Sequence, residues 1–265
     1  MSRPTLHTLW KPLLVGFGAA VLILWLAFAP PGLLGKADAV GYAVCHRITE
    51  RSFMLGDRAM PVCARCSGTF LGALLGLAYQ LPRGRRGKLP PVSICIALGV
   101  LALAWAFDGF NSYMHFFEGA PHFYEPQNWL RLATGTGLGL GMALVLLPIM
   151  HQTFFTTFDD RPAIPNWGAF GGLLGLAALL NLVILTENPL VLYPLAVLSS
   201  VSVLTLLTLC YSLLLVIFLK RDGLANTWRD VWPALVGGLT IALLQTLVID
   251  AVRLYLTGSW GGLGI

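Results

Sequence analysis

From Leu190 to Leu219 the chain runs for about 30 residues without one charged side chain. A segment like that has nowhere to hide in a water-soluble protein of 265 residues. It does match a bilayer, whose hydrocarbon core of about 30 Å is crossed by roughly 20 apolar residues in a helix. Six shorter stretches of the same kind can be read, so the sequence predicts spans near 12–34, 63–81, 91–114, 129–150, 167–186, 190–219 and 233–256. The sixth exceeds one perpendicular crossing and is expected to tilt or to project into the cytoplasm. Composition agrees: 57% of residues are hydrophobic and 11% charged, against about 25% charged in soluble domains. Lipid admits only helices or closed barrels, and a barrel would show alternating segments of about 10 residues. The expected class is therefore an all-α polytopic integral membrane protein of about seven transmembrane helices, forming a single membrane domain over residues 1–265.

Loop charge sets the expected orientation, because Lys and Arg are retained on the cytoplasmic side. With the N-terminus cytoplasmic, the inner loops hold Arg3, Lys11, Arg83, Arg85, Arg86, Lys88, Arg161, Lys220, Arg221 and Arg229, against Lys36, Arg47, Arg51 and Arg58 outside. Seven spans then leave the C-terminus outside. Ala37-Asp38-Ala39 has the form of a signal-peptide cleavage site, but the first span is read as a retained anchor. The isoelectric point near 9.1 reflects these loops. Basic residues are nowhere interleaved with aromatics, so no nucleic-acid partner is expected. The expected partners are the lipid bilayer and possible further membrane subunits.

Polar residues inside the spans cluster at one level. Asp108, Asn111 and His115 lie at i, i+3, i+7 in the third span, Asn128 and Arg131 open the fourth, and Asp250 and Arg253 close the seventh. All fall near the outer ends, whereas the inner halves are nearly blank. Intramembrane charges are costly and commonly functional or paired. Two readings follow: Asp108–Arg131 and Asp250–Arg253 are ion pairs that lock helices together, or Asp108, Asn111, Asn128 and Arg131 floor an outward-facing polar chamber that acts on a substrate. Glycine ridges at Gly68/Gly72/Gly76, Gly135/Gly139, Gly137/Gly141, Gly168/Gly172 and Gly171/Gly175 offer close helix crossings. The run TGTGLGLG lacks the G-x-G-x-x-G spacing and a preceding strand, so it is no dinucleotide loop.

Above that level lies the extracytoplasmic loop 35–62, leading into CARC at the start of the second span. Cys45, His46, Cys63 and Cys66 carry the usual zinc donors, and C-x-x-C lets one turn present two sulfurs to one ion. Gly68, two residues on, would let backbone N–H groups turn toward thiolate sulfur. Cys45 and His46 are adjacent, so both bind one ion only where the backbone bends sharply. Otherwise three cysteines bind, and His46 serves beside them or the ion keeps an open position. Thiol–disulfide exchange competes, since Arg65 between the sulfurs and Arg51 and Arg58 in the loop favour thiolates. A structural disulfide from Cys45 to Cys63 or Cys66 is the third reading. Cys95 and Cys210 read as small core residues. His122 and Glu125 sit in an acidic outer loop, where they could add ligands but read first as solvated; His7 and His151 flank membrane ends without signal.

Cys45-His46, Arg51-Ser52-Phe53, PVCARCSG at 61–68, Asp108-Gly109 and Asn128-x-x-Arg131-x-x-Thr134-Gly135 resemble the signature of a bacterial membrane-protein family, the domain of unknown function 2085. The resemblance covers roughly 40–145, leaves 165–256 as additional helices, and implies a bacterial inner-membrane location but no particular reaction. The reading is thus a membrane protein with an outward Cys/His site for zinc or a similar divalent ion. Whether it is an enzyme, a thiol–disulfide oxidoreductase or a non-catalytic subunit of a larger complex stays open.

Overall fold

The computed structural model describes residues 6–117, 119 and 121–260. Arg3, one of the basic residues used for orientation, lies outside them. The described residues form eight helices: α1 Leu6–Phe28, α2 Leu33–Val44, α3 Ala64–Gln80, α4 Val92–Met114, α5 Asn128–Phe154, α6 Trp167–Leu185, α7 Pro189–Phe218 and α8 Trp228–Thr257. Six of them (α1, α4, α5, α6, α7 and α8) are long and apolar enough to cross a membrane. The protein is an all-α polytopic membrane protein.

α3 corresponds to the expected second span but has only 17 residues, or about 26 Å at 1.5 Å per residue. A short 3-10 turn at Leu81–Arg83 continues it. It is also the least lipid-like span, carrying Ser67 and Gln80 buried at 0% and 2% exposure. Both traits follow from its position, packed against α5, α6 and α7. Gln80 gives its amide N–H to the Gly76 and Ala143 carbonyls at 3.1 and 2.9 Å.

The α3–α5 contact uses the predicted glycines. A methyl group at Gly68 or Gly135 would run into the Leu132 or Arg65 carbonyl oxygen, and one at Gly139 into that of Thr69. The two backbones touch across these positions. Gly137 instead accommodates Leu101 of α4. The α6 ridge is a correction: Gly171 and Gly175 meet open space, and Gly172 only the Tyr79 hydroxyl. α6 packs through Phe170, Leu173 and Ala177 against Ile94, Leu140 and Leu144. A crossing that the sequence reading passed over lies at Gly238 of α8, which admits Ser212 and the Thr208 carbonyl of α7.

Residues 33–44 are helical, which corrects the reading of 12–34 as one span and 35–62 as a loop. Pro30-Pro31-Gly32 ends the first helix, with Gly32 at φ 80°, where glycine carries no steric cost. α2 then folds back onto α7 and α8. At 12 residues it is about 18 Å long, too short to span, and its Lys36 and Asp38 disguise it. Ser200 Oγ–H donates to the Ala37 carbonyl at 3.0 Å, and the Tyr42 hydroxyl meets Thr257 Oγ1 at 2.8 Å.

The remaining loop is short and folded. β1 (Met54–Leu55) and β2 (Arg58–Ala59) pair antiparallel across Gly56-Asp57. Phe53 and Met60 plug into a core made with Leu71, Leu132, Ile184 and Ala196. At the opposite end β3 (Arg86–Lys88) pairs in parallel with β4 (Asp159–Pro162). There Arg86 Nη1 lies 2.8 Å from Asp159 and Arg85 Nη1–H donates to the Asn226 carbonyl at 2.8 Å. The basic loops thus gather at one end of the bundle, and Cys45, Cys63 and Cys66 at the other.

Candidate metal centre and its arginine-rich surroundings

Cys63 caps α3, Cys66 lies in its first turn, and Cys45 follows the last residue of α2. What joins them is Gly41: a methyl there would strike the Pro61 carbonyl oxygen, so α2 lies directly on the entry to α3. The Cys45, Cys63 and Cys66 sulfurs all lie within 4.8 Å of one another. All three are free thiols.

The chain reverses just after Cys45. Arg47 is left-handed at φ 55°, which costs a non-glycine residue about 1–2 kcal/mol. Its side chain holds the turn by bonding Asp38 at 2.9 Å and the Trp260 carbonyl at 3.1 Å. The reversal aims the Arg47 N–H at Cys45 Sγ (3.5 Å), and the Cys63 N–H reaches the same sulfur at 3.3 Å. These are sulfur-directed amides of the expected kind, but Gly68 is not their source; it sits inside α3 and serves the α5 crossing. His46 is exposed while Cys45 is buried, as adjacent residues on extended chain require. Cys45, Cys63 and Cys66 form the close donor group, and His46 is not part of it.

Hydrogen bonds from the Cys45 and Cys66 thiols hold Cys63 well below the ordinary thiol range, helped by the Cys66 backbone and Arg65. Cys45 is pushed up to about 11, first through its hydrogen bond to Cys63.

Asp108 is 1% exposed, and its partner is not Arg131, as the sequence suggested, but Arg65 from between the two α3 cysteines. Arg65 Nε–H donates to Asp108 Oδ2 at 3.1 Å, and Nη2 reaches the same carboxylate, the Asp108 carbonyl and Ser112 Oγ. Tyr124 O–H gives Asp108 Oδ1 a further bond at 2.9 Å. Asn111 clasps the following loop, donating to the Tyr124 carbonyl at 2.8 Å and accepting from Phe123 N–H at 2.7 Å. Asn128 donates to the Glu50 carbonyl at 3.2 Å and accepts from Arg131 Nη1 at 2.9 Å. Three of the four expected floor residues are thus fully engaged. Arg131, 5% exposed, keeps a buried Nε without a hydrogen-bond partner.

The second expected ion pair is also corrected. No ion pair joins Asp250 to Arg253 among the described residues, and both Asp250 oxygens are buried without a hydrogen-bond partner. Arg253 instead stacks on Tyr42 at 3.9 Å and donates to the Cys45 carbonyl at 2.7 Å. Its work is to hold the cysteine backbone. Arg51, expected from the sequence only as a loop charge favouring thiolates, acts together with Arg65 and Arg131 near the Cys63 thiol. Burial, then repulsion from Arg131 and Arg65, pushes Arg51 down to about 10. Its signal was the R-S-F motif. His115 at the end of α4 and His122 and Glu125 in the following loop form a second donor group, all three exposed.

Fold and site define a polytopic helical membrane protein with three thiols gathered at the mouth of its bundle. The model of the family described as predicted membrane protein (DUF2085) matches residues 45–145, a segment that opens on Cys45 and contains Arg51, Cys63, Cys66, Asp108 and Arg131. An uncharacterized protein of Methanothermobacter thermautotrophicus is 34% identical over 96 residues, covering 35% of this chain and 74% of the relative. An uncharacterized protein of Methanocaldococcus jannaschii is 28% identical over 122 residues, covering 45% of this chain and 72% of the relative. The chain belongs to the DUF2085 family. These relatives are archaeal, so the expected bacterial label is too narrow. No solved structure matches.

Proposed function

We propose that this protein carries a three-thiolate metal centre, for zinc or a similar divalent ion, at the outer face of a prokaryotic cell membrane. The observation that carries the reading is the meeting of Cys45, Cys63 and Cys66 sulfurs within 4.8 Å, with two backbone N–H groups on one of them. A tetrahedral ion with Zn–S bonds of about 2.3 Å holds its sulfurs roughly 3.8 Å apart, so little rearrangement is needed. Three protein ligands leave one position for water or substrate, the arrangement of catalytic zinc sites. The outward sidedness is supported by the basic loops at the far end.

Metal analysis with thiol counting tests the proposal. One equivalent of metal per chain is expected, with the three thiols reacting only after chelation. Metal-free protein with a disulfide among these cysteines would overturn it in favour of thiol–disulfide exchange, the reading that the depressed Cys63 favours. A metal-bearing protein whose ion exchanges no added ligand would make the centre a staple within a larger membrane complex.

A further inference from the structure

Beside the thiols, between the 3-10 turn at Thr49–Arg51 and the end of α4, lies a cavity of about 270 Å³. Arg51 and Arg131 line it, together with Glu50, His115 and Phe116. Its wall is rich in positive charge. Arg51 and Arg131 act on each other and on Arg65 behind them, with the Cys63 thiol near enough to act on both, and the buried carboxylate beside them, Asp108, is committed to Arg65 and Tyr124. Glu50 is exposed; its carboxylate acts on Arg51 from the rim, and its backbone carbonyl accepts from Asn128.

Both cavity arginines are held in place with donors to spare. The Arg51 guanidinium stacks on Phe116 at 3.6 Å and gives one N–H to the Ser112 carbonyl at 3.2 Å. Arg131 gives one N–H to Asn128. Each guanidinium carries five N–H donors, and gathering two beside a third is electrostatically unfavourable unless an anion neutralises them. Two separate forks suit an anion with oxygens in several directions better than a planar carboxylate, which one fork satisfies.

We infer that this cavity binds a phosphate-class oxyanion, held between Arg51 and Arg131 next to the cysteine centre. The inference goes beyond the metal reading and does not need it, since both arginines are placed by contacts other than the sulfurs. The phosphate belongs to a soluble ligand or to a lipid headgroup, because the site lies at the level where the outer helix ends meet the interface.

Calorimetric titration of the purified, detergent-solubilised protein with inorganic phosphate tests it, with metal content measured on the same sample. Saturable binding of one phosphate per chain is expected, weakened at least tenfold by Arg131→Gln and by Arg51→Gln and untouched by Arg229→Gln at the opposite end. In a second arm, native mass spectrometry of delipidated protein with phosphatidylglycerol distinguishes the sources: retained lipid displaced by inorganic phosphate assigns the site to a headgroup, and binding in the first arm alone assigns it to a soluble ligand. Thermal unfolding checks each variant, and half-buried Arg51 carries the test if Arg131→Gln does not fold. Absence of binding in both arms, or wild-type affinity in folded Arg51→Gln, overturns the inference. Loss of metal with phosphate affinity intact would count against the metal centre alone.

Discussion

Arg65 sits between two cysteines in sequence, yet its guanidinium serves a carboxylate one helix away. Asp108 is so deeply buried that Arg65 and Tyr124 take the place of its water. Breaking a buried pair from one side leaves an uncompensated charge and costs about 3–5 kcal/mol. Arg65→Gln is therefore expected to destabilise the purified protein by about that much, whereas Tyr124→Phe, which removes one hydrogen bond, costs about 1–3 kcal/mol. Thermal unfolding in detergent ranks the two, and a milder loss for Arg65→Gln would contradict the assigned pairing. The thiols make a second prediction at this scale. In metal-free protein the Cys63 pKa is depressed below the ordinary 9.0, so its contribution to stability is present above pH 9.0 and lost as pH falls through the lower folded value. Cys45, raised to about 11, works oppositely: its contribution is complete below 9.0 and lost as pH rises through about 11. Iodoacetamide at about pH 7.5 should modify Cys63 before Cys45, since the thiolate is the nucleophile. Peptide mass spectrometry gives the order, and Cys45 reacting first would refute it.

Among the elements, α3 and α5 meet backbone to backbone, so their glycines are not interchangeable with those of α6. Gly135→Ala would press a methyl into the Arg65 carbonyl and is expected to cost about 1–3 kcal/mol, as overpacking does. Gly171→Ala on α6 meets nothing within 4 Å and gains helix propensity, so it should be neutral or stabilising by up to about 1 kcal/mol. Equal effects on thermal unfolding would contradict the α3–α5 crossing. Periodicity marked both ridges alike, since small-xxx-small spacing says which faces permit an approach and not which faces receive a neighbour. α2 escaped detection for a related reason. Its Ala37, Ala39, Val40 and Tyr42 are buried, but its length resembles a loop when hydrocarbon thickness is the measure.

For the whole molecule, the two ends differ in charge and chemistry, and that difference predicts sidedness. A cysteine introduced at exposed Asp57 should react with an impermeant maleimide added to intact cells, beyond the labelling of the parent protein. One at exposed Lys88 should react only after permeabilisation. The reverse pattern would invert the topology. Hydropathy and loop charge yielded the long helices and the common level of Cys63, Cys66, Asp108 and Arg131, because a bilayer imposes a depth coordinate that can be counted along the chain. Depth does not say which residues at one level touch. That was decided by the rotation and crossing of the helices: Asp108 pairs with Arg65 rather than Arg131, Arg253 holds the Cys45 backbone rather than Asp250, and exposed His46 is not part of the close sulfur group. Each outcome depends on contacts between segments far apart in sequence, and only close packing in three dimensions selects among partners that depth alone leaves equivalent.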